Sequence, residues 1–178
     1  EYLAAGRRIA AVALKEQKFD QGGAWPHILP LDHANGQPGI MGNNLFLIGI
    51  LLGGLQAYHE ASGDPAVLKS LTAGAQWVAK SWDEGPGGWP YSATPEGKPL
   101  YQPSTSLNML IIQPLAYVAK LTNDDRLWRI VDASLAAVAV GGADSFGKSV
   151  AQKLNFAGGT LALLQEWYAQ KLPDKGAS

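Results

Sequence analysis

The chain contains no cysteine. Disulfides, thiolate nucleophiles and thiolate-ligated metals are thereby excluded, and no redox compartment follows, because a protein without thiols suits either side of a membrane. Charge is scarce as well: 14 Lys and Arg stand against 15 Asp and Glu, for a net charge of −1. That balance argues against nucleic acid, whose affinity comes largely from neutralising phosphates with excess cations. Long apolar runs are also missing. The longest, Leu45 to Leu55, spans eleven residues, whereas a bilayer span needs about twenty, so a buried core helix and no membrane partner are expected. Glu1 to Gly6 has neither the basic start nor the apolar stretch of a signal peptide, and the chain does not begin with Met. It therefore reads as a mature product or an excised domain.

What is present is apolar bulk. Hydrophobic residues make up 47% of 178, which excludes a disordered chain and suffices for one self-supporting core. A single domain over 1–172 with a tail at 173–178 is expected. Three stretches carry almost no charge, Asn43 to Tyr58, Ser104 to Ala119 and Leu154 to Gln165; helices of that kind need protein on all sides. They alternate with three amphipathic stretches, Tyr2 to Gln17, Pro65 to Trp82 and Asp124 to Val140. Asp64 before Pro65, and Thr122 to Asp125, supply capping side chains for two helix starts. Pro114 within the fourth helix predicts a kink.

The connections repeat. Ala57-Tyr58 recurs as Ala116-Tyr117 at a spacing of 59, and Gly22-Gly23-Ala24-Trp25-Pro26 is echoed by Gly87-Gly88-Trp89-Pro90. Repetition on this scale signals stacked supersecondary units. The expected fold is all-α: three helical hairpins, each an outer charged helix and an inner uncharged one. The long loops 18–42, 83–103 and 141–153 then gather at one end, over the inner-helix N-termini, where binding residues are best placed.

Outer and inner helices in alternation, tight turns of the Ser62-Gly63-Asp64-Pro65 type and the Gly87-Gly88-Trp89-Pro90 loop together resemble the (α/α) toroid superfamily. It includes six-hairpin glycosidases, unsaturated uronyl hydrolases and toroidal polysaccharide lyases. The resemblance implies an arc of an (α/α) toroid, a polysaccharide or oligosaccharide ligand, and a secreted or periplasmic setting. Three hairpins make half of such a ring, so a neighbouring domain or a homodimer is expected to cover the open wall, and a pure assembly module is an alternative role. The resemblance carries over no catalytic residue.

Site candidates come from the long loops. His27, His33 and Tyr101 are candidate acid–base groups, histidine having a pKa near 6.5 that needs little tuning; polar surface residues that cap a helix are the plainer account. His27 and His33 match no strong metal-ligand spacing, and neither a metal nor a cofactor is expected. Trp25, Trp89, Tyr91 and Tyr101 are flat rings suited to sugar faces, with Asp32, Asn43, Asn44, Gln102 and Asn108 to bind hydroxyls. Because Trp25 and Trp89 recur once per hairpin, they also fit packing plugs, which makes Tyr91 and Tyr101 the more informative pair. A hydrolytic carboxylate pair could come only from Asp20, Asp32, Asp83, Glu84, Glu96 and Asp144. A lyase would instead need His27 or Tyr101 as base and Lys98 or Lys148 to neutralise a uronate. Carbohydrate binding is the favoured expectation, with catalysis by a lyase or hydrolase as the alternative. The paired glycines at 53–54, 141–142 and 158–159 are expected where inner helices touch.

Overall fold

A computed structural model describes residues 2–140 and 148–171. Six α-helices carry the described chain: α1 (Tyr2–Glu16), α2 (Leu45–Ser62), α3 (Pro65–Lys80), α4 (Ile112–Thr122), α5 (Asp125–Val140) and α6 (Lys148–Lys171). The all-helical expectation holds for the bulk of the fold. One element was not foreseen, a small antiparallel sheet in the order β1 (His27–Ile28), β2 (Met41–Asn44), β3 (Ser92–Ala93). Its registers, His27 opposite Gly42 and Asn43 opposite Ala93, tie the first long loop to the second.

The tight turns work as their residues dictate. Gly63 closes α2 in the left-handed region at φ 64°, and one residue later the Asp64 carboxylate accepts from the Ala66 N–H at 2.9 Å with Pro65 beside it. Asn123 closes α4 at φ 54°, and Asp124 accepts from the N–H groups of Arg126 and Leu127 at 2.9 and 3.1 Å. A left-handed stop followed at once by an acidic cap satisfies the last carbonyls of one helix and the first amides of the next. These turns make α2 with α3, and α4 with α5, the closely packed pairs.

Successive charged helices α1, α3 and α5 touch one another, and so do α2, α4 and α6. The core lies between the two rows, with Trp77, Leu45, Leu52, Leu71, Ile112, Leu115 and Leu127 fully buried. Expectation and structure part at three places. The fourth helix begins at Ile112 rather than Ser104, after a 3₁₀ turn at Asn108–Leu110. Pro114 thus falls in its first turn, where a missing N–H removes no helical bond, and no kink is required. All-round burial holds for α4 as far as Ala119 but not for its neighbours: α2 leaves Leu47 and Ile50 exposed, and α6 leaves Leu154 and Leu161 exposed. A Cβ added at Gly53, Gly54 or Gly158 would meet nothing within 4 Å, whereas one at Gly159 would stand 2.8 Å from the Gln113 side chain of α4, so of the described pairs only Gly159 lies where inner helices touch. A closer approach to backbone is at Gly49, whose added Cβ would stand 2.3 Å from the Leu110 carbonyl oxygen. Gly141 and Gly142 lie outside the described residues.

Candidate functional site

The repeated loop motif is structural. Trp25 and Trp89 are 8% and 3% exposed. The Trp25 indole N–H donates to the Ala13 carbonyl at 2.7 Å and that of Trp89 to the Val78 carbonyl at 3.0 Å. Each acceptor lies in the last turn of the preceding charged helix, α1 or α3, and also takes a backbone N–H, from Gln17 at 3.2 Å and from Ser81 at 3.1 Å respectively, so the indole bonds to the carbonyl's second lone pair. The tryptophan therefore serves as a plug, pinned to the helix end by a second hydrogen bond on that carbonyl. Enclosed rings with spent N–H groups have no face to offer a sugar, so the sugar-stacking role expected of Trp25 and Trp89 is corrected to packing.

The buried asparagines are corrected in the same way. Asn43 and Asn44 belong to β2 and are 0% and 1% exposed, and their side-chain amides find no hydrogen-bond partner among the described residues. Asn108, 1% exposed, donates to the Gly87 carbonyl at 2.8 Å and the Ser134 carbonyl at 3.2 Å. None of the three lines the surface cleft described below.

The two tyrosines that do not repeat come together. Tyr91 stands edge-on to Tyr101 with ring centroids 5.7 Å apart and edge-on to His33 at 5.3 Å, and it leans on Phe46 in the first turn of α2 at 5.2 Å. Its hydroxyl lies 3.2 Å from His33 Nε2. When the hydroxyl donates, the imidazole carries its proton on Nδ1. The backbone holds this cluster: the Leu45 N–H donates to the Tyr91 carbonyl at 3.1 Å, and Ser92 Oγ donates to the His33 carbonyl at 2.5 Å.

Tyr101 clamps the two loops. Its hydroxyl donates to the Asp32 carbonyl and accepts from the Asn35 N–H at 3.0 Å, while Asn35 Nδ2 donates to the Leu100 carbonyl at 3.2 Å. Asn35 and Gly36 sit at φ 53° and 74°, in the left-handed region. Asn-Gly is the dipeptide that favours such a turn. That dipeptide is the signal in the sequence for Asn35, which stands with Ser104 and Ser106 outside the residues expected at the site.

Beside the pair lies an open cleft of about 660 Å³. Tyr91, Tyr101, Pro99, Leu100, Pro103 and Leu107 supply its rings and apolar wall. Asn35, Gln102, Ser104 and Ser106 supply amides and hydroxyls, and Asp83 is the one charged residue lining it. The Tyr91 hydroxyl is held above the usual tyrosine range, first by burial and then by the negative charge of Asp32 and by Tyr101. It therefore keeps its proton at neutral pH and acts as a donor.

The remaining candidates are dispersed. His27 is exposed on β1, and no hydrogen bond or ring contact joins it to the tyrosine cluster. Asp32 is mostly exposed, its carboxylate 3.7 Å from His33 Nε2. Asp20, Glu84 and Glu96 are exposed and do not line the cleft, so with Asp83 they assemble no carboxylate pair there. Lys98 is exposed and likewise absent from the lining. Asp144 and the Lys148 side chain fall outside the description. Among the described residues no three His, Asp or Glu side chains gather to hold a metal ion, and no helix is long and apolar enough to cross a membrane. Comparison of the chain with protein-family models, with curated proteins and with solved structures finds no match.

Proposed function

We propose that this chain is a carbohydrate-binding helical domain, an arc of an (α/α) toroid whose ligand lies in the cleft beside Tyr91 and Tyr101. The observation that carries it is the lining itself: adjoining tyrosine rings next to amides and hydroxyls from Asn35, Gln102, Ser104 and Ser106. Sugar rings present an apolar C–H face and a hydroxyl edge, and such a wall matches both. A cleft whose lining holds a single carboxylate and no cation favours neutral sugar residues over uronates. The alternating rows of charged and uncharged helices support the toroid arrangement.

Affinity electrophoresis through gels containing xylan, galactomannan, β-glucan or pectin tests this. The wild-type chain is expected to be retarded in at least one gel, and Gln102→Ala and Tyr101→Ala to lose about tenfold in affinity, equivalent to ~1.4 kcal/mol. Gln102 is exposed and makes no hydrogen bond among the described residues, so its truncation separates binding from folding. Retardation in no gel, or equal retardation of both variants, overturns the proposal.

One contact favours a second reading, catalysis by a lyase or hydrolase. The Tyr91 hydroxyl and His33 form an adjoining proton donor and acceptor, of which Tyr91 lines the cleft, as acid–base chemistry requires. The raised Tyr91 pKa suits an acid better than a base. Release of unsaturated uronate or new reducing ends by the wild-type chain, lost in His33→Ala, would establish catalysis.

A further inference from the structure

A second groove, of about 780 Å³, opens on the charged face where the C-terminal turn of α3 meets the first turns of α5. Ala79 and Ile130 are buried within it, Trp82 is half-buried and Ala133 completes the apolar lining. Around them stand three exposed cations, Lys80, Arg126 and Arg129, against one carboxylate, Glu84. Among the described residues the ion pairs are His33 with Asp32, Lys120 with Glu166 and Lys171 with Asp125, so none of the groove's cations is paired. The two guanidiniums are positioned by carbonyls instead: Arg126 Nη2 donates to Ala79 at 3.2 Å and Arg129 Nε to Asp125 at 3.3 Å. The lining itself thus holds three cations to one carboxylate; the Asp125 carboxyl, held low first by Lys171, also feels the charge of Arg129, and the Lys80 ammonium rests beside Gly22.

We propose that this groove docks an acidic peptide segment of a partner protein, with carboxylates on the cations and an apolar side chain against Trp82 and Ile130. Charge complementarity and the lining chemistry select that occupant. Arginine forks bind carboxylates through two parallel hydrogen bonds, and the apolar lining gives an anchor side chain somewhere to desolvate. A glycan is the poorer fit, because the groove is lined by no Asn, Gln, Ser or Thr and the Trp82 N–H is already spent on Ser134 Oγ at 2.9 Å. Nucleic acid would want more cations and a stacking series.

The test uses a fluorescein-labelled peptide carrying glutamates on both sides of a central Leu-Phe pair, and its glutamine counterpart, in fluorescence anisotropy with the full chain. The glutamate peptide is expected to bind, to weaken as salt is raised, and to bind at least about tenfold tighter than the glutamine peptide. Lys80→Glu and Arg129→Glu should each weaken it by a similar factor, while Gln102→Ala in the glycan cleft leaves it unchanged. Lys80→Glu keeps the test decisive should Arg129→Glu fail to fold, and matched melting temperatures establish folding. Absence of binding, equal binding of the two peptides, or indifference to charge reversal overturns the proposal. So does competition by polygalacturonate or a single-stranded oligonucleotide as effective as unlabelled peptide at matched charge, which would reveal a general anion surface.

Discussion

Trp89→Ala is expected to lower the free energy of unfolding by about 3–5 kcal/mol, the range for deleting a large buried aromatic. Two losses combine. The indole, 3% exposed, is part of the core, and its removal leaves a cavity that neighbouring helices fill only partly. Its N–H donates to the Val78 carbonyl at 3.0 Å, and truncation removes that hydrogen bond, at about 0.5–1.5 kcal/mol, while the carbonyl keeps the Ser81 N–H at 3.1 Å. Trp89→Phe separates the two, keeping most of the packing while deleting the donor, and should fall well short of the alanine effect. Urea unfolding followed by far-UV circular dichroism measures both. A loss below about 1 kcal/mol for the alanine variant, the range of ordinary surface changes, would show that Trp89 is not a plug.

The adjoining glycine is the second sensitive point. A Cβ on Gly88 would lie 2.1 Å from the Ser104 carbonyl oxygen and 3.0 Å from Asn108 Oδ1. Backbone cannot yield as a flexible side chain can, so Gly88→Ala must push apart the bridge in which Trp89 and Ser104 exchange hydrogen bonds of 3.1 and 2.9 Å. Overpacking of this kind costs about 1–3 kcal/mol and sometimes more. Because Ser104 lines the cleft, glycan retention should fall with stability. Gly54→Ala is the opposite control. Its Cβ meets nothing within 4 Å, and an alanine within α2 should stabilise by up to about 1 kcal/mol.

The contrast between those glycines shows what could be read from the chain and what could not. Helix ends at Gly63-Asp64 and Asn123-Asp124 were legible because a left-handed stop and an acidic cap are local chemistry. Glycine pairs were legible only in part, because close approach depends on which helix lies opposite: Gly159 is crowded by Gln113 and Gly49 by Leu110, while Gly53-Gly54 faces open space. The strands escaped notice for a related reason. Two-residue ladders such as Ser92–Ala93 are too short to show a period of two, and the uncharged run at Asn43 carried the helical expectation two residues too far.

The cleft was partly legible. Repetition marked Trp25 and Trp89 as scaffold and set Tyr91 and Tyr101 apart, and the fold brings that second pair together. The asparagines were misplaced because residue type alone does not say which side of a short strand or 3₁₀ turn faces the core. His27 and His33 were treated as companions by their nearness in sequence. Only His33 joins Tyr91, because the turn at Asn35-Gly36 folds 30–40 back beneath Tyr101 while His27 leaves on β1.

The most direct measurement is a ¹H–¹⁵N correlation spectrum of the labelled chain titrated with oligosaccharides released from whichever polysaccharide retards it. Binding in the cleft predicts saturable shifts for the amides of Asn35, Tyr91, Gln102, Ser104 and Ser106, with the α3–α5 groove unmoved. Shifts confined to other surfaces, or none at saturating sugar, would contradict it.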